Sequence, residues 1–350
     1  MSISDNLTSV RLADFVTNRG APFPVDPTHE FSEKAPAGVP LPADLLSSFH
    51  EAVSERDAVC VLLAAGQGSR FKAPFPKVIH PFAGKPLAQH ALDAASTAEI
   101  PAVVVVGHAR EAVCKALDAS KRGGLVAFVV QEEQMGTGHA VFLAKFAVPQ
   151  DFKGDIVIMY ADNPGVDNAL LEKLLKEHDA NKVKYGDNYG ALILTGSRAG
   201  ATDAADAYGR IVRESKSGGT IVDIVEKKTI KKLSADGKDS TYGSVTWTPD
   251  ELNDLDEFNS GIVVARADRY LKVLGSVVAS QTKVEPAKYE YYATDFVKGM
   301  VADGFVVEGW TVPVDDMWKL EGTNTLEELV ALEAKQSARR ALAANGENQR

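Results

Sequence analysis

The segment AVCVLLAAGQGSRF, residues 58–71, decides the predicted fold. Its first residues form a continuous apolar run, which is typical of a parallel strand covered on both faces. Gly66 and Gly68 follow directly, and glycines there let the backbone approach an anion and turn its amides towards it. The segment therefore predicts a buried strand that leads into an anion-binding loop.

Three more apolar segments alternate with helical patterns after this loop. Strands are predicted at 101–107, 125–131 and 155–160, and helices at 87–96, 110–120 and 138–146. This alternation indicates βαβ units and a mainly parallel sheet, with ligands bound beyond the carboxyl ends of the strands. We therefore expect an α/β, Rossmann-like fold whose mixed, mainly parallel sheet is flanked by helices.

The chain is predicted to have three parts. Residues 1–56 are rich in proline and form an N-terminal arm, with a helix that begins near Pro42. Residues 57–335 form the main domain. Residues 336–350 form a polar C-terminal tail that follows a helix near 326–337.

The pattern of predicted strands and helices in the main domain changes after residue 186. Residues 57–186 carry the strand–helix alternation, and residues 187–335 are predicted to form a smaller, β-rich part. Its strands are predicted at 191–195, 209–212, 222–226 and 261–265. The polar stretch 229–256 is interpreted as an insertion loop.

Composition excludes several classes of protein. The 350 residues include 38 basic and 48 acidic side chains, so the formal net charge of −10 disfavours non-specific binding of nucleic acid. No apolar run is long enough to span a membrane, and no signal peptide is visible. Cys60 and Cys114 are too few for a disulfide framework, which favours the reducing cytoplasm. We expect Cys60 to serve packing.

Cations cluster around the glycine-containing loop. Arg70 lies in it, and Lys77 follows Pro76 a few residues later. Two common phosphate-binding motifs are excluded. Phe71 stands where the dinucleotide-binding fingerprint needs its third glycine, and a Walker loop would need glycine at Ile79 and a hydroxyl residue at Pro86.

The same residues carry a family resemblance. Residues 63–77 resemble the signature loop of sugar-1-phosphate nucleotidyltransferases, L-x-A-G-x-G-[ST]-R followed by P-K, and residues 78–90 are similar to its continuation. QEEQMGTGHA, residues 131–140, resembles the pyrophosphorylase domain of bacterial N-acetylglucosamine-1-phosphate uridyltransferases. The resemblance covers residues 57–335 and implies a GT-A-like variant of the fold. No hexapeptide repeat of an acetyltransferase β-helix is visible.

The resemblance implies in-line phosphoryl transfer. A sugar 1-phosphate attacks the α-phosphorus of UTP or another nucleoside triphosphate, and pyrophosphate leaves. Arg70 would neutralise the leaving pyrophosphate, and Lys77 would bridge the reacting phosphates. Asp162 and Asn324 would hold Mg²⁺, which prefers oxygen ligands.

The resemblance also assigns two sets of binding residues. The nucleotide would contact Ala65, Gly66, Gly68, Gln131, Gly136 and Thr137, with the Gln131 amide on the polar edge of uracil. The sugar would contact Gly209, Glu226, Asn259, Glu290 and Tyr292. We expect His139, which has no second histidine at ligand spacing, to be structural.

Two residues depart from the family pattern. Ala161 and Asn163 flank the predicted metal ligand where the family usually carries glycine and valine, so the exact sugar and base stay open. The first alternative is cytidylyl or guanylyl transfer to another sugar, cyclitol or phosphonate acceptor. The second is a catalytically silent sugar-nucleotide sensor. The sequence leaves the oligomeric state open between monomer and dimer.

Overall fold

The computed structural model describes residues 43–347 except 69, 72–74, 118–124, 202, 277–279 and 286–287, so most of the predicted arm lies outside the described residues. The helices are α1 (Ala43–Ser54), α2 (Leu87–Thr97), α3 (Arg110–Leu117), α4 (Thr137–Ala144), α5 (Asn168–Tyr185), α6 (Lys227–Asp236), α7 (Pro249–Asp254), α8 (Ala267–Ser276), α9 (Phe296–Ala302) and α10 (Leu326–Glu347). The strands are β1 (Ala58–Ala64), β2 (Pro81–Phe82), β3 (Lys85–Pro86), β4 (Ala102–Val106), β5 (Val126–Val130), β6 (Asp155–Tyr160), β7 (Tyr189–Ser197), β8 (Arg210–Ser215), β9 (Gly218–Val225), β10 (Ser240–Tyr242), β11 (Val245–Trp247), β12 (Glu257–Arg266), β13 (Ser280–Glu285), β14 (Lys288–Glu290) and β15 (Val306–Thr311).

Nine of the described strands form one mixed sheet. Its main path is β15-β7-β12-β6-β1-β4-β5, and β8 and β9 extend it from β12. β1 pairs in parallel with β4 and β6, and β4 with β5. β12 runs antiparallel to β6 and β7. The expected α/β fold with a mostly parallel sheet is confirmed, and strands from both predicted parts share this sheet.

The continuous apolar run of β1 is buried because helices cover both faces of the sheet. Val59 and Val61 point into one core, together with α4 and α8. Cys60 and Leu62 point into the other, together with α2 and α5. An alternating strand would leave one face polar, whereas this one needs apolar side chains on both.

The helix predicted near Pro42 is α1, and it packs beside the end of the sheet. Its Phe49 and Val53 side chains are buried in the same core as Val59 and Val61. The helix contacts β5, the last strand of the path. A covered end strand is protected from pairing with another chain.

The interpretation of residues 229–256 as a loop was wrong. They contribute to α6 and α7, with the hairpin β10–β11 between them. Ile230, Trp247 and Leu252 are buried in a small core shared with β8 and β9. Thr248 and Glu251 form a capping box at the start of α7. Few apolar residues, widely spaced among polar ones, make this core, so the composition alone suggested a loop.

The C-terminal helix is longer than predicted. α10 continues to Glu347, so most of the segment predicted as a polar tail is helical. Its alanine, glutamate and arginine residues favour helix, although glutamate and arginine are polar. The domain boundaries drawn from the sequence remain predictions.

Within the described ranges, none of the helices combines the length and apolar character needed to cross a membrane.

We expect Leu252→Ala to lower the free energy of unfolding by about 2–4 kcal/mol, because it leaves a cavity in this small core. Leu326→Ala, at the exposed start of α10, is the matched control and should change it by less than about 0.5 kcal/mol. Urea denaturation of both variants measures the difference. Equal, small effects would mean that residues 229–256 do not pack as described.

Candidate active site

The predicted nucleotide and metal residues meet at one edge of the sheet. Residues 65–68 follow β1, Gln131 follows β5, and Asp162 lies two residues after β6. Because β1, β4, β5 and β6 are parallel, their carboxyl ends share this edge. This is where open α/β sheets bind ligands.

Lys77 forms an ion pair with Asp162 at this edge. The Lys77 Nζ lies 2.6 Å from the Asp162 Oδ2 atom, although 85 residues separate the two. Lys77 is 8% exposed, and the Asp162 side chain is 31% exposed. Gly68 has a positive φ of 60°, and a Cβ there would lie 3.0 Å from the Lys77 Cβ. Glycine at this position therefore keeps room for the lysine.

Arg70 and Asn324 form a second pair. Arg70 Nη2 donates to Asn324 Oδ1 at 2.8 Å. The asparagine is fixed from its other side, because its backbone N–H donates to Glu328 Oε2 at 2.6 Å. Thr325 completes the helix cap by accepting a hydrogen bond from the Glu328 N–H. Each predicted catalytic cation thus contacts one predicted metal ligand.

The donor set at these two pairs fits Mg²⁺. Asp162 offers a carboxylate and Asn324 an amide oxygen, both hard ligands. No group of three or more His, Cys, Asp or Glu side chains suited to a metal occurs among the described residues. Mg²⁺ commonly takes only one or two protein ligands and keeps several waters. The open side of Asp162 leaves space for a hydrated ion.

Gln131 lines a small cavity beyond β4 and β5. The cavity has a volume of about 350 Å³ and is lined by Gln67, Gly107, His108, Gln131, Glu132 and Gln134. Gln131 is 4% exposed, and its Nε2 donates to the Gly136 carbonyl at 3.0 Å. Gln134 Nε2 donates to the Ala65 carbonyl at 2.7 Å. These hydrogen bonds connect the predicted residues Ala65 and Gly136 to Gln134 and Gln131, which line the cavity.

Sequence reasoning missed Gln67, His108 and Gln134. Gln67 and Gln134 stand inside the two segments that carry the resemblance but were given no role there, and His108 follows Gly107 just after β4. Their polar side chains at successive strand ends were the available signal.

Thr137 links this cavity to the segment after β14. Its Oγ1 accepts a hydrogen bond from the Ala293 N–H at 3.0 Å and is bonded to the Tyr160 hydroxyl. Gly138 donates its N–H to the Tyr291 carbonyl at 2.8 Å. Burial raises the pKa of Tyr160. Tyr160, another residue that sequence reasoning missed, is therefore a neutral hydroxyl beside the nucleotide residues.

Three of the predicted sugar residues lie together. A Cβ on Gly209 would be 3.5 Å from the Glu226 Oε2 atom. The Asn259 N–H donates to the Gly209 carbonyl at 2.9 Å. Thr294 Oγ1 donates to Glu226 Oε1 at 3.2 Å, so the segment after β14 reaches the same carboxylate.

Two further predicted sugar residues belong to that segment. The Tyr292 hydroxyl contacts Lys228, whose Nζ lies 4.0 Å from the ring centroid. Glu290 ends β14, and its side chain lies outside the described residues. The contact with Lys228 could not be foreseen, since Lys228 stands in a run of lysines that resembles a solvated helix face.

His139 is a structural histidine, as expected. It is buried, and its Nδ1 lies 3.1 Å from the Glu133 carbonyl and 3.2 Å from Gln131 Nε2. Burial lowers the pKa of His139 to about 4, against a weaker opposing effect of the Glu133 carbonyl. Burial likewise raises the pKa of the Cys60 thiol to about 12, which makes it a poor nucleophile.

Lys298, which is partly exposed, pairs with two less exposed carboxylates, one of them on the segment that contacts Glu226. The Lys298 Nζ is 3.7 Å from Asp223 Oδ2 and 3.6 Å from Asp295 Oδ1. Burial raises the pKa of Asp223 to about 6, although Lys298 lowers it in part. Asp295 follows Thr294, so the pairing with Lys298 supports the segment that contacts Glu226.

The chain is similar to known proteins in sequence and in fold. Residues 60–219 match the family described as "MobA-like NTP transferase domain". The chain is 36% identical over 275 residues to the "Bifunctional protein GlmU" of Burkholderia mallei strain SAVP1, which covers 78% of this chain and 51% of the relative. The chain therefore resembles NTP transferases in sequence, with the family match lying over residues 60–219. The protein of the same name from Paraburkholderia phytofirmans is 35% identical over the same share.

The chain spans about half the length of the curated relatives it matches. Solved structures resemble it in fold. A UDP-glucose pyrophosphorylase complexed with UDP-glucose has a TM-score of 0.53 at 18% identity, covering 81% of this chain and all of that one. The inositol-1-phosphate CTP transferase from T. maritima has a TM-score of 0.51 at 15% identity, with 80% and 95% covered.

Two buried groups predict opposite effects of acid on stability. Burial lowers the pKa of His139 from 6.5 to about 4 in the folded chain. Between pH 6.5 and 4 the unfolded chain therefore binds a proton that the folded chain does not, and the free energy of unfolding decreases as the pH is lowered. The pKa of Asp223 is raised from 3.8, so between pH 6 and 3.8 the folded chain binds the extra proton, and stability rises. We expect His139→Gln to lose less stability than the wild type between pH 7.5 and 5, and Asp223→Asn to lose more.

Urea denaturation at both pH values measures these losses. An unchanged loss in His139→Gln would mean that this histidine is not held neutral by burial.

Proposed function

We propose that this protein is a Mg²⁺-dependent pyrophosphorylase that makes a nucleotide sugar from UTP and a sugar 1-phosphate and releases pyrophosphate. N-acetylglucosamine 1-phosphate is the first candidate acceptor. The observation that carries the proposal is the pairing of Lys77 with Asp162 and of Arg70 with Asn324. Four residues from distant segments meet in pairs, with the charges that phosphoryl transfer needs.

The reaction asks the protein for positioning and charge rather than covalent chemistry. Lys77 and Arg70 would bind the reacting and leaving phosphates, where the negative charge develops. Asp162 and Asn324 would hold the Mg²⁺ ion, which when bound offsets charge on the triphosphate. On binding substrate, the two cations would exchange their present oxygen partners for phosphate oxygens.

The binding residues support a division of the site into two halves. The amide groups around Gln131 would orient the base, and the backbone of residues 65–68 would face the phosphates. Glu226 and Asn259 would accept and donate hydrogen bonds to sugar hydroxyls. Tyr160 would lie between the two halves, since its hydroxyl is hydrogen-bonded to Thr137 and its ring lies near Gly261, where an added Cβ would be 2.8 Å from it.

The comparisons support this choice of substrates without deciding it. A UDP-glucose pyrophosphorylase complexed with UDP-glucose and an inositol-1-phosphate CTP transferase both share the fold, so the fold alone does not select the base. Two cysteines and the acidic charge favour the cytoplasm and small-molecule partners rather than nucleic acid.

We expect pyrophosphate release with Mg²⁺, UTP and N-acetylglucosamine 1-phosphate. UTP, CTP, GTP, ATP and dTTP, each tested against a panel of sugar and cyclitol phosphates, measure the preference. Pyrophosphate release with another nucleoside triphosphate and acceptor would support nucleotidyl transfer and replace the proposed substrates. No release in any arm, with UTP still bound, would favour the sugar-nucleotide sensor.

We expect Asp162→Ala to fold normally and to lose turnover by about 10³-fold, the scale of losing a group that stabilises transition-state charge. Asp187→Ala is the matched control, because Asp187 is fully exposed just before β7, at the opposite edge of the sheet. Circular dichroism checks folding, and pyrophosphate release measures turnover. Turnover close to that of the control would exclude Asp162 from the metal site.

A further inference from the structure

Asn163, one of the two departures from the family pattern, does not lie in either binding half. It is 5% exposed, and its backbone N–H donates to the Tyr160 carbonyl at 3.3 Å. Its side-chain Oδ1 lies against Gly322, where an added Cβ would be only 2.8 Å away. Asn163 follows the predicted metal ligand Asp162 directly, and Gly322 precedes the other, Asn324, by two residues.

The segments on either side of this contact pack closely as well. A Cβ on Gly165 would lie 2.5 Å from the Lys319 Cα, so the two backbones touch there too. Residues 163–165 and 319–322 therefore form one seam, which joins the strand end that carries Asp162 to the loop that carries Asn324. A side chain at position 165 or 322 would therefore clash with the facing segment.

Tyr208 forms hydrogen bonds to the 319–322 side of the seam. Its hydroxyl accepts the Gly322 N–H at 3.1 Å and donates to the Leu320 carbonyl at 3.4 Å. Its ring stacks on Phe258, with ring centroids 5.3 Å apart. The hydroxyl stays protonated, since burial raises the pKa of Tyr208 to about 12. The loop before Asn324 is thus held by a hydroxyl on one side and by the Asn163 amide on the other.

We propose that Asn163 is a positioning residue, which sets the spacing between Asp162 and Asn324 through its contact with Gly322. This rests on the proposed function, because the two residues matter together only if both hold the divalent ion. The polar side chain at 163 then tunes metal affinity rather than choice of sugar. Residues that orient metal ligands typically change metal affinity or activity 10–100-fold when replaced.

The test compares Mn²⁺ binding, read by electron paramagnetic resonance, in the full chain with UTP present. Asn163→Ala removes the contact, and we expect it to raise the Mn²⁺ dissociation constant about tenfold. Gly322→Ala places a methyl group against the Asn163 amide and should raise it by at least as much. Asn188→Ala is the matched control, because Asn188 is exposed before β7. The KM for UTP at saturating Mg²⁺ should change less than about twofold in Asn163→Ala.

The double variant Asn163→Ala/Gly322→Ala separates a shared contact from two independent effects. If both residues act through one contact, the double variant binds Mn²⁺ about as well as Asn163→Ala alone, because the alanine at 163 removes the nearer of the two atoms that the new methyl group would meet, the other being the Tyr208 hydroxyl at 3.2 Å. Multiplied effects, of about 100-fold, would overturn the proposal. So would unchanged Mn²⁺ binding in Asn163→Ala accompanied by a lower unfolding midpoint in EDTA, which would show a merely structural role.

The outcomes for the wild type keep this inference apart from the proposed function. Wild-type Mn²⁺ binding without pyrophosphate release in any arm would overturn the proposed function. The Mn²⁺ dissociation constants of the Asn163 and Gly322 variants would then still decide the role of Asn163. Wild-type release with unaltered Mn²⁺ binding in all three variants would overturn the inference alone. Absence of wild-type Mn²⁺ binding would overturn both.

Discussion

The parallel pairing of β1 with β6 is the constraint on which the site depends. Leu63 stands opposite Tyr160 in this register, and the Ala161 N–H donates to the Leu63 carbonyl at 3.1 Å. The chain after β1 and the chain after β6 therefore leave the sheet side by side.

The candidate site contains two cations, although the chain as a whole is negatively charged. The net charge is −10, yet Arg70 and Lys77 lie together at the carboxyl edge of the sheet. A lysine that is 8% exposed needs a partner, because desolvating an unpaired ammonium group is costly. Asp162 supplies it without being buried itself. The partly exposed pair can therefore open for a phosphate or a cation at lower cost than a fully buried one.

Much of this fold could be predicted from the sequence because it is encoded locally. Strand β6 begins and ends where the apolar run at 155–160 does, and the loop after β1 carries its own glycines and cations. The small core around Trp247 and Leu252 could not be foreseen, since its few apolar residues are scattered through a polar stretch. Asp162 and Asn324 were found by family resemblance, whereas their pairing with Lys77 and Arg70 spans 85 and 254 residues, which no local pattern records.

The same separation explains where the chain can vary. Residues at the ends of β1 and β6 are held by the sheet, so their positions change little with the surroundings. Asn324 has no strand beneath it and depends on Glu328 after it and on Gly322 before it. Gly322 is in turn confined between the Tyr208 hydroxyl and the Asn163 amide. Under the proposed function, a substitution at 163 or 208 would act on the proposed metal ligand Asn324 from outside the site, while the loop after β1 would stay held by the sheet.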